Sequence, residues 1–241
     1  MAEAAAWGLL AASSLLIGAT LGTFVRLPDR LLALLIGFGA GALISALAFE
    51  LTQEAYALGG ADTVAVGLGL GALAYYLGDR AIGSGVGVAL LLGAILDGIP
   101  ENAVLGISVL EGEVSVALLA AIFISNLPEA ISGAELSVKK GASSWPRGRT
   151  LKAWAIVTVV CAASSALGYL LLDGASGDTI GLIQAFAGGA VLMTVATGML
   201  PEAHKLASGI SRVTGRHGDA TIVGLATVLG FALSYLLTTI E

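Results

Sequence analysis

Apolar residues run in long blocks along this chain, and polar residues gather in the gaps between them. The blocks cover roughly 4–24, 31–54, 62–78, 85–106, 114–136, 151–172, 179–203 and 219–240. About 20 apolar residues carry a helix across a bilayer. The pattern therefore predicts an all-α polytopic membrane protein with eight transmembrane helices. The third block is the shortest and ends in Gly78-Asp79-Arg80.

The gaps have a sign. Arg26 and Arg30 follow the first block and Arg80 the third. Lys139, Lys140, Arg147, Arg149 and Lys152 surround the fifth gap, and Lys205, Arg212 and Arg216 the seventh. These are all 11 Lys and Arg residues, and all lie in or beside alternate gaps. The other gaps and the termini hold Glu3, Asp62, Glu111, Glu113, Asp173, Asp178 and Glu241. Cytoplasmic loops are the ones that carry Lys and Arg. The expectation is a multi-pass protein of the plasma or inner membrane with both termini extracytoplasmic.

Composition narrows this further. Charged residues are 12% of the chain, against about 25% in soluble domains. That leaves one transmembrane domain, 1–241, with the lipid bilayer as its main partner. Glycine fills 34 positions, where bare backbones let helices pack closely in lipid. One cysteine, Cys161, excludes an internal disulfide and a thiolate metal cluster. The N-terminus lacks a basic n-region and reads as a retained first helix. Nothing points to nucleic acid. The reading admits a homodimer.

An internal repeat is visible. Phe38-Gly39-Ala40-Gly41-Ala42 matches Phe186-Ala187-Gly188-Gly189-Ala190, and at the same offset of 148 Gln53-Glu54-Ala55 matches Pro201-Glu202-Ala203. Ala12-Ser13-Ser14 resembles Ala163-Ser164-Ser165. The second and seventh helices run in opposite directions, so the predicted relation is an inverted 3+2+3 arrangement, a common plan of secondary transporters.

The candidate chemistry lies in the middle two helices. Asp97-Gly98-Ile99-Pro100-Glu101-Asn102 and Ser125-Asn126-Leu127-Pro128-Glu129-Ala130 each put a proline beside a carboxylate within an apolar block. Intramembrane carboxylates are costly and mark ion or proton paths. Asp97 and Glu101 share a helix face, as do Ser125 and Glu129. Each proline removes a backbone donor and frees a carbonyl one turn back, of Leu96 and Ile124. Asp97, Glu101, Ser125, Asn126 and Glu129 thus predict an oxygen-rich cation site. Without a cation the three carboxylates repel, and at least one takes up a proton. The plainer reading is that prolines bend these helices and the acids pair with Ser or Asn for packing. Against it, no Lys or Arg lies in the bilayer core to neutralise them. Asn102 faces away from Asp97 by spacing.

Further polar groups flank this centre. Glu50 and Glu54 end the second helix toward the outside, and Glu202 and His204 end the seventh on the inside. They are candidate entrance and exit ligands, and Gln184 a candidate lining residue. The plainer reading of a helix-end Glu is a solvated boundary group. His217 reads as surface.

These motifs, in this order and topology, resemble the ZIP family of zinc and iron permeases. The resemblance covers nearly the whole chain. It implies eight helices, both termini outside, and inverted repeats relating the first three to the last three. The family's fourth-helix motif, His-Asn-any-Pro-Glu-Gly, falls on Asp97–Asn102, and its fifth-helix motif on Ser125–Glu129. Its Pro-Glu-Ala-like helix ends resemble Gln53-Glu54-Ala55 and Pro201-Glu202-Ala203. The resemblance implies a primary metal site of Asp97, Glu101, Ser125 and Glu129 with Asn126 beside them. This chain departs from the pattern where Asp97 and Ser125 replace histidines and Gly98 replaces asparagine. Cys161–Ser165 offers no sixth-helix carboxylate, and the usual His-rich cytoplasmic loop is absent.

The expected activity is import of a divalent metal ion by alternating access, with Zn²⁺, Mn²⁺, Fe²⁺, Mg²⁺ or Cd²⁺ as cargo. All-oxygen ligands favour harder ions. The competing readings are a metal-gated or proton-conducting channel and a non-transporting metal sensor. Saturable flux against a gradient separates the first, and bound metal without flux marks the second. An enzyme is not expected, since no nucleophile–base pair lies within a helix.

Overall fold

The structure is a computed structural model that describes residues 1–82, 86–96, 98–111, 116–139, 144–214 and 219–238. Its described elements are helical: α1 (Ala2–Phe24), α2 (Asp29–Ala46), α3 (Gln53–Ile82), α4 (Val86–Leu96), α5 (Gly98–Glu111), α6 (Val116–Val138), α7 (Arg147–Leu171), α8 (Gly177–Met193), α9 (Leu200–Thr214) and α10 (Asp219–Thr238). Two π-helical stretches, Leu47–Thr52 and Thr194–Met199, join α2 to α3 and α8 to α9.

Five helical runs are long and apolar enough to cross a membrane: Ala2–Phe24, Asp29–Ala81, Gly87–Gly106, Arg147–Leu171 and Gly177–Ser208. A shorter apolar helix covers Thr221–Leu237. The distribution of residue types suits a bilayer. Large apolar side chains face outward, Leu9 and Ile17 on α1, Val159 and Leu170 on α7, Val228 and Leu229 on α10. Polar side chains lie inside, among them Glu129, Asn102, Asn126, Ser125 and Gln184. In water that arrangement would leave a large apolar surface exposed.

The 53-residue run Asp29–Ala81 is not one rod. It reverses at Gly60, whose φ of 73° and ψ of −174° fall where only glycine is at ease. Helix α8 documents the reversal by packing on both limbs. Gly177 and Gly181 meet Leu58 and Ala55 on the first limb, antiparallel to it. Gly67 and Gly71 on the second limb meet Ala185 and Phe186, parallel to α8. The α7–α8 turn uses the other positive-φ glycine, Gly174, and Ser176 then caps α8 by accepting a hydrogen bond from the Thr179 amide at 3.3 Å.

The interior holds two main apolar clusters. One joins Leu32, Ile36 and Leu43 of α2 to Val191, Val195 and Met199, with Val223 of α10. The other joins Leu15 of α1, Ala94 of α4, Ala130 and Ala134 of α6, and Trp154, Val157 and Cys161 of α7. Glycines set the closest helix pairs. Gly41 lies on the Thr227 carbonyl and Gly230 on the Phe38 carbonyl, joining α2 to α10. Gly189 lies on the Leu68 carbonyl and Gly71 on the Phe186 carbonyl, joining α8 to α3.

Basic groups of the described residues gather toward one end. Lys139 pairs with Asp29 at 2.7 Å, and Arg147 lies over the Phe24 ring at 5.9 Å. Asp62 and Asp178 line a common cavity of about 330 Å³ with Thr63 and Thr179. From Asp62 to Arg80 and from Asp178 to Lys205 the helices rise about 27 Å and about 40 Å. Arg80 and Lys205 therefore lie at the end away from that acidic cavity.

The sequence boundaries shift in several places. The seventh apolar block continues as helix past 203 to Thr214, because α9 is amphipathic. The second begins at Asp29 after Pro28, the sixth at Arg147 after Pro146, and the third runs on to Ile82.

Candidate functional site

Helix α6 runs along the boundary between the two clusters. Ala130 and Ala134 belong to the second cluster, while Leu136 packs on the first. Pro128 approaches Gly39 of α2, next to Met199 of the second π-helical stretch. A proline lacks the amide that would hold the preceding turn, so α6 carries a loosened carbonyl at Ile124. Around that step Ser125, Asn126 and Glu129 are all buried, Glu129 completely. The Ser125 hydroxyl donates to the Ile122 carbonyl at 3.1 Å, and Ser132 donates to the Pro128 carbonyl at 2.7 Å. Asn126 is different. Neither its Oδ1 nor its Nδ2 has a hydrogen-bond partner among the described residues.

Helix α5 supplies the other carboxylate. Glu101 and Asn102 are buried in it. The Asn102 amide donates to the Gly98 carbonyl at 2.8 Å, and its Oδ1 has no hydrogen-bond partner among the described residues. Pro100 lies in α5 two residues after Gly98, and Pro128 lies well inside α6. Asp97, the third expected carboxylate, lies outside the described residues. Among the described residues no group of three His, Cys, Asp or Glu side chains gathers to hold a metal.

The flanking candidates separate into buried and exposed. Gln184 is buried in α8 with its Oε1 unpartnered among the described residues. Glu202 is buried in the first turn of α9 and pairs with Lys205 at 3.1 Å. His204 is exposed, its Nδ1 2.8 Å from the Leu200 carbonyl of its own helix. Glu50 sits half-buried in the first π-helical stretch, and Glu54, one turn on, is exposed. Glu54 and His204 thus lie at the surface, away from the buried centre. His217 is outside the described residues.

Two features had no counterpart in the sequence reading. The Tyr75 side chain of α3 is buried, with its hydroxyl beside Gly198 of the second π-helical stretch. The flanking Gly71 and Gly78 fall on the same helix face, a signal that this face packs against protein. The π-helical stretches themselves are the second feature. Single π turns inside α-helices frequently mark functional sites.

No family model and no curated protein sequence matches this chain.

Proposed function

We propose that this protein is a divalent-cation transporter of the cell membrane, with its site between α5 and α6. One observation carries the reading. Asn126, buried in an apolar helix, has both side-chain heteroatoms unpartnered among the described residues, three positions from the fully buried Glu129. Burying an amide without partners costs about 1–3 kcal/mol. A packing role gives no return for that cost, whereas an oxygen-seeking cation does. Asn126 Oδ1, Glu129 and Ser125 on α6 and Glu101 on α5 are the donors proposed, with Asp97 completing the set. These hard oxygen donors suit a divalent ion as cargo.

The proposed architecture is eight crossings built from an inverted repeat, with both termini extracytoplasmic. Three facts support it. The π-helical stretches start at Leu47 and Thr194, one residue from the offset of 148. The contact of Gly41 with Thr227 has its counterpart in Gly189 with Leu68, at that same offset on the first partner. The contact of Gly230 with Phe38 likewise has its counterpart in Gly71 with Phe186. Both counterparts relate α3 to α10 by one shift of 159.

Uptake into liposomes tests the function. Purified protein is expected to take up Mn²⁺ or Zn²⁺ saturably, and Glu129→Ala protein is expected not to. Flux that never saturates favours a channel. Binding without flux favours a sensor.

A further inference from the structure

At the basic end a cavity of about 550 Å³ opens between the α1–α2 link, the last turn of α6 and the start of α7. Arg26, Lys139 and Arg147 line it, together with Asp29 and Glu135. Asp29 pairs with Lys139. Glu135 is buried, and its Oε2 has no hydrogen-bond partner among the described residues. Three cations thus stand against two acids. Arg147 spends its flat face on Phe24 and keeps its N–H edge. Among the described residues neither Arg26 nor Arg147 pairs with a carboxylate. The charge left over in the cavity is positive.

Two helix starts border the same space. Helix α2 begins behind Pro28 and α7 behind Pro146, and neither has a side-chain cap. Their first amides and positive dipole ends favour an anion. An apolar track leads away from the mouth. Leu21, Phe24 and Val25 are 44%, 56% and 47% exposed on the outer face of α1. Half-buried Trp145 stands at the mouth, as tryptophans do at the level of lipid headgroups.

We propose that this cavity binds an anionic phospholipid from the leaflet at the basic end. The phosphate sits on Arg26 and Arg147, and the acyl chains lie along Leu21, Phe24 and Val25. A soluble anion would use the same cations but would leave the apolar track uncovered. The proposal rests on the membrane character of the helices and not on cation transport, so each can fail without the other.

Native mass spectrometry of the detergent-purified full chain tests it, with phosphatidylglycerol and phosphatidylcholine of identical acyl chains. Phosphatidylglycerol is expected to be retained at least about fivefold better, since each cation near anionic lipid contributes about that factor. The double variant Arg26→Gln with Arg147→Gln is expected to lose the preference. Arg149→Gln is expected to keep it, because Arg149 stacks on Trp145 at 4.2 Å and does not line the cavity. A second readout needs no change to the arginines. Brominated phosphatidylglycerol should quench the fluorescence that Trp145→Phe removes, more strongly than brominated phosphatidylcholine does. Equal retention or equal quenching by the two lipids overturns the proposal, as does a double variant that keeps the preference. Displacement of the lipid by an equal concentration of inorganic phosphate assigns the cavity to a soluble anion and overturns the lipid as well.

Discussion

Gly41 and Gly189 each place bare backbone against a carbonyl of a neighbouring helix, Thr227 for the first and Leu68 for the second. Neither site has room for a methyl group. Gly41→Ala and Gly189→Ala are therefore each expected to destabilise the protein by about 1–3 kcal/mol, the usual range for overpacking. Gly69→Ala and Gly224→Ala meet nothing within 4 Å. They are expected to keep or slightly raise stability, through helix propensity. Thermal melting in detergent compares the four. Equal melting temperatures would mean that the two helix pairs are looser than the contacts require.

The buried polar step of α6 separates stability from binding. Asn126→Leu removes an amide that has no hydrogen-bond partner among the described residues. Its stability is expected to hold or rise, by up to about 1–3 kcal/mol, while metal binding weakens. Glu101→Ala and Glu129→Ala are expected to abolish high-affinity binding. Exposed Asp173→Ala is expected to change nothing. Titration calorimetry and melting on the same preparations read both quantities. Full affinity in the two glutamate variants sinks the proposed site.

The proposed site makes ion preference testable at two positions. Asp97→His with Ser125→His adds two nitrogen ligands, and nitrogen favours Zn²⁺ over Mn²⁺ more than oxygen does. The double variant is expected to raise the Zn²⁺ to Mn²⁺ affinity ratio at fixed pH. The parent is expected to bind less tightly as pH falls, because its carboxylates must lose their protons to bind metal. Competition binding decides it. An unchanged ratio would show that these positions do not set selectivity.

Orientation has its own test. With Cys161 replaced, single cysteines near Asp62 and Asp173 are expected to react with an impermeant reagent applied to cells. Cysteines at 144–148, beside the basic cavity, are expected to react only after permeabilisation. External labelling at 144–148 would reverse the assignment.

Helix positions were legible because an apolar run of membrane length has few alternatives, and α1 and α10 start and stop close to their blocks. The end of α9 was less so. A helix that leaves the bilayer core becomes amphipathic instead of polar, and a block-based reading stops at Ala203. The buried state of Glu101, Asn126 and Glu129 follows from carboxylates and amides beside prolines in apolar helices. Tyr75 stayed hidden because a tyrosine in an apolar block reads as lipid-facing until its packing is known. The π-helical stretches left no trace, since a shift of hydrogen-bond register is decided by packing and not by composition.

The reversal at Gly60 constrains how the molecule can move. One residue joins two antiparallel limbs, and α8 is wedged against both, at Ala55 and Leu58 on one side and Gly67 and Gly71 on the other. Seams this close, with glycine on one side, leave few side chains to rearrange. The two limbs and α8 are therefore expected to move together, with relative displacement falling to the neighbouring seam, where Pro128 meets Gly39 beside Met199.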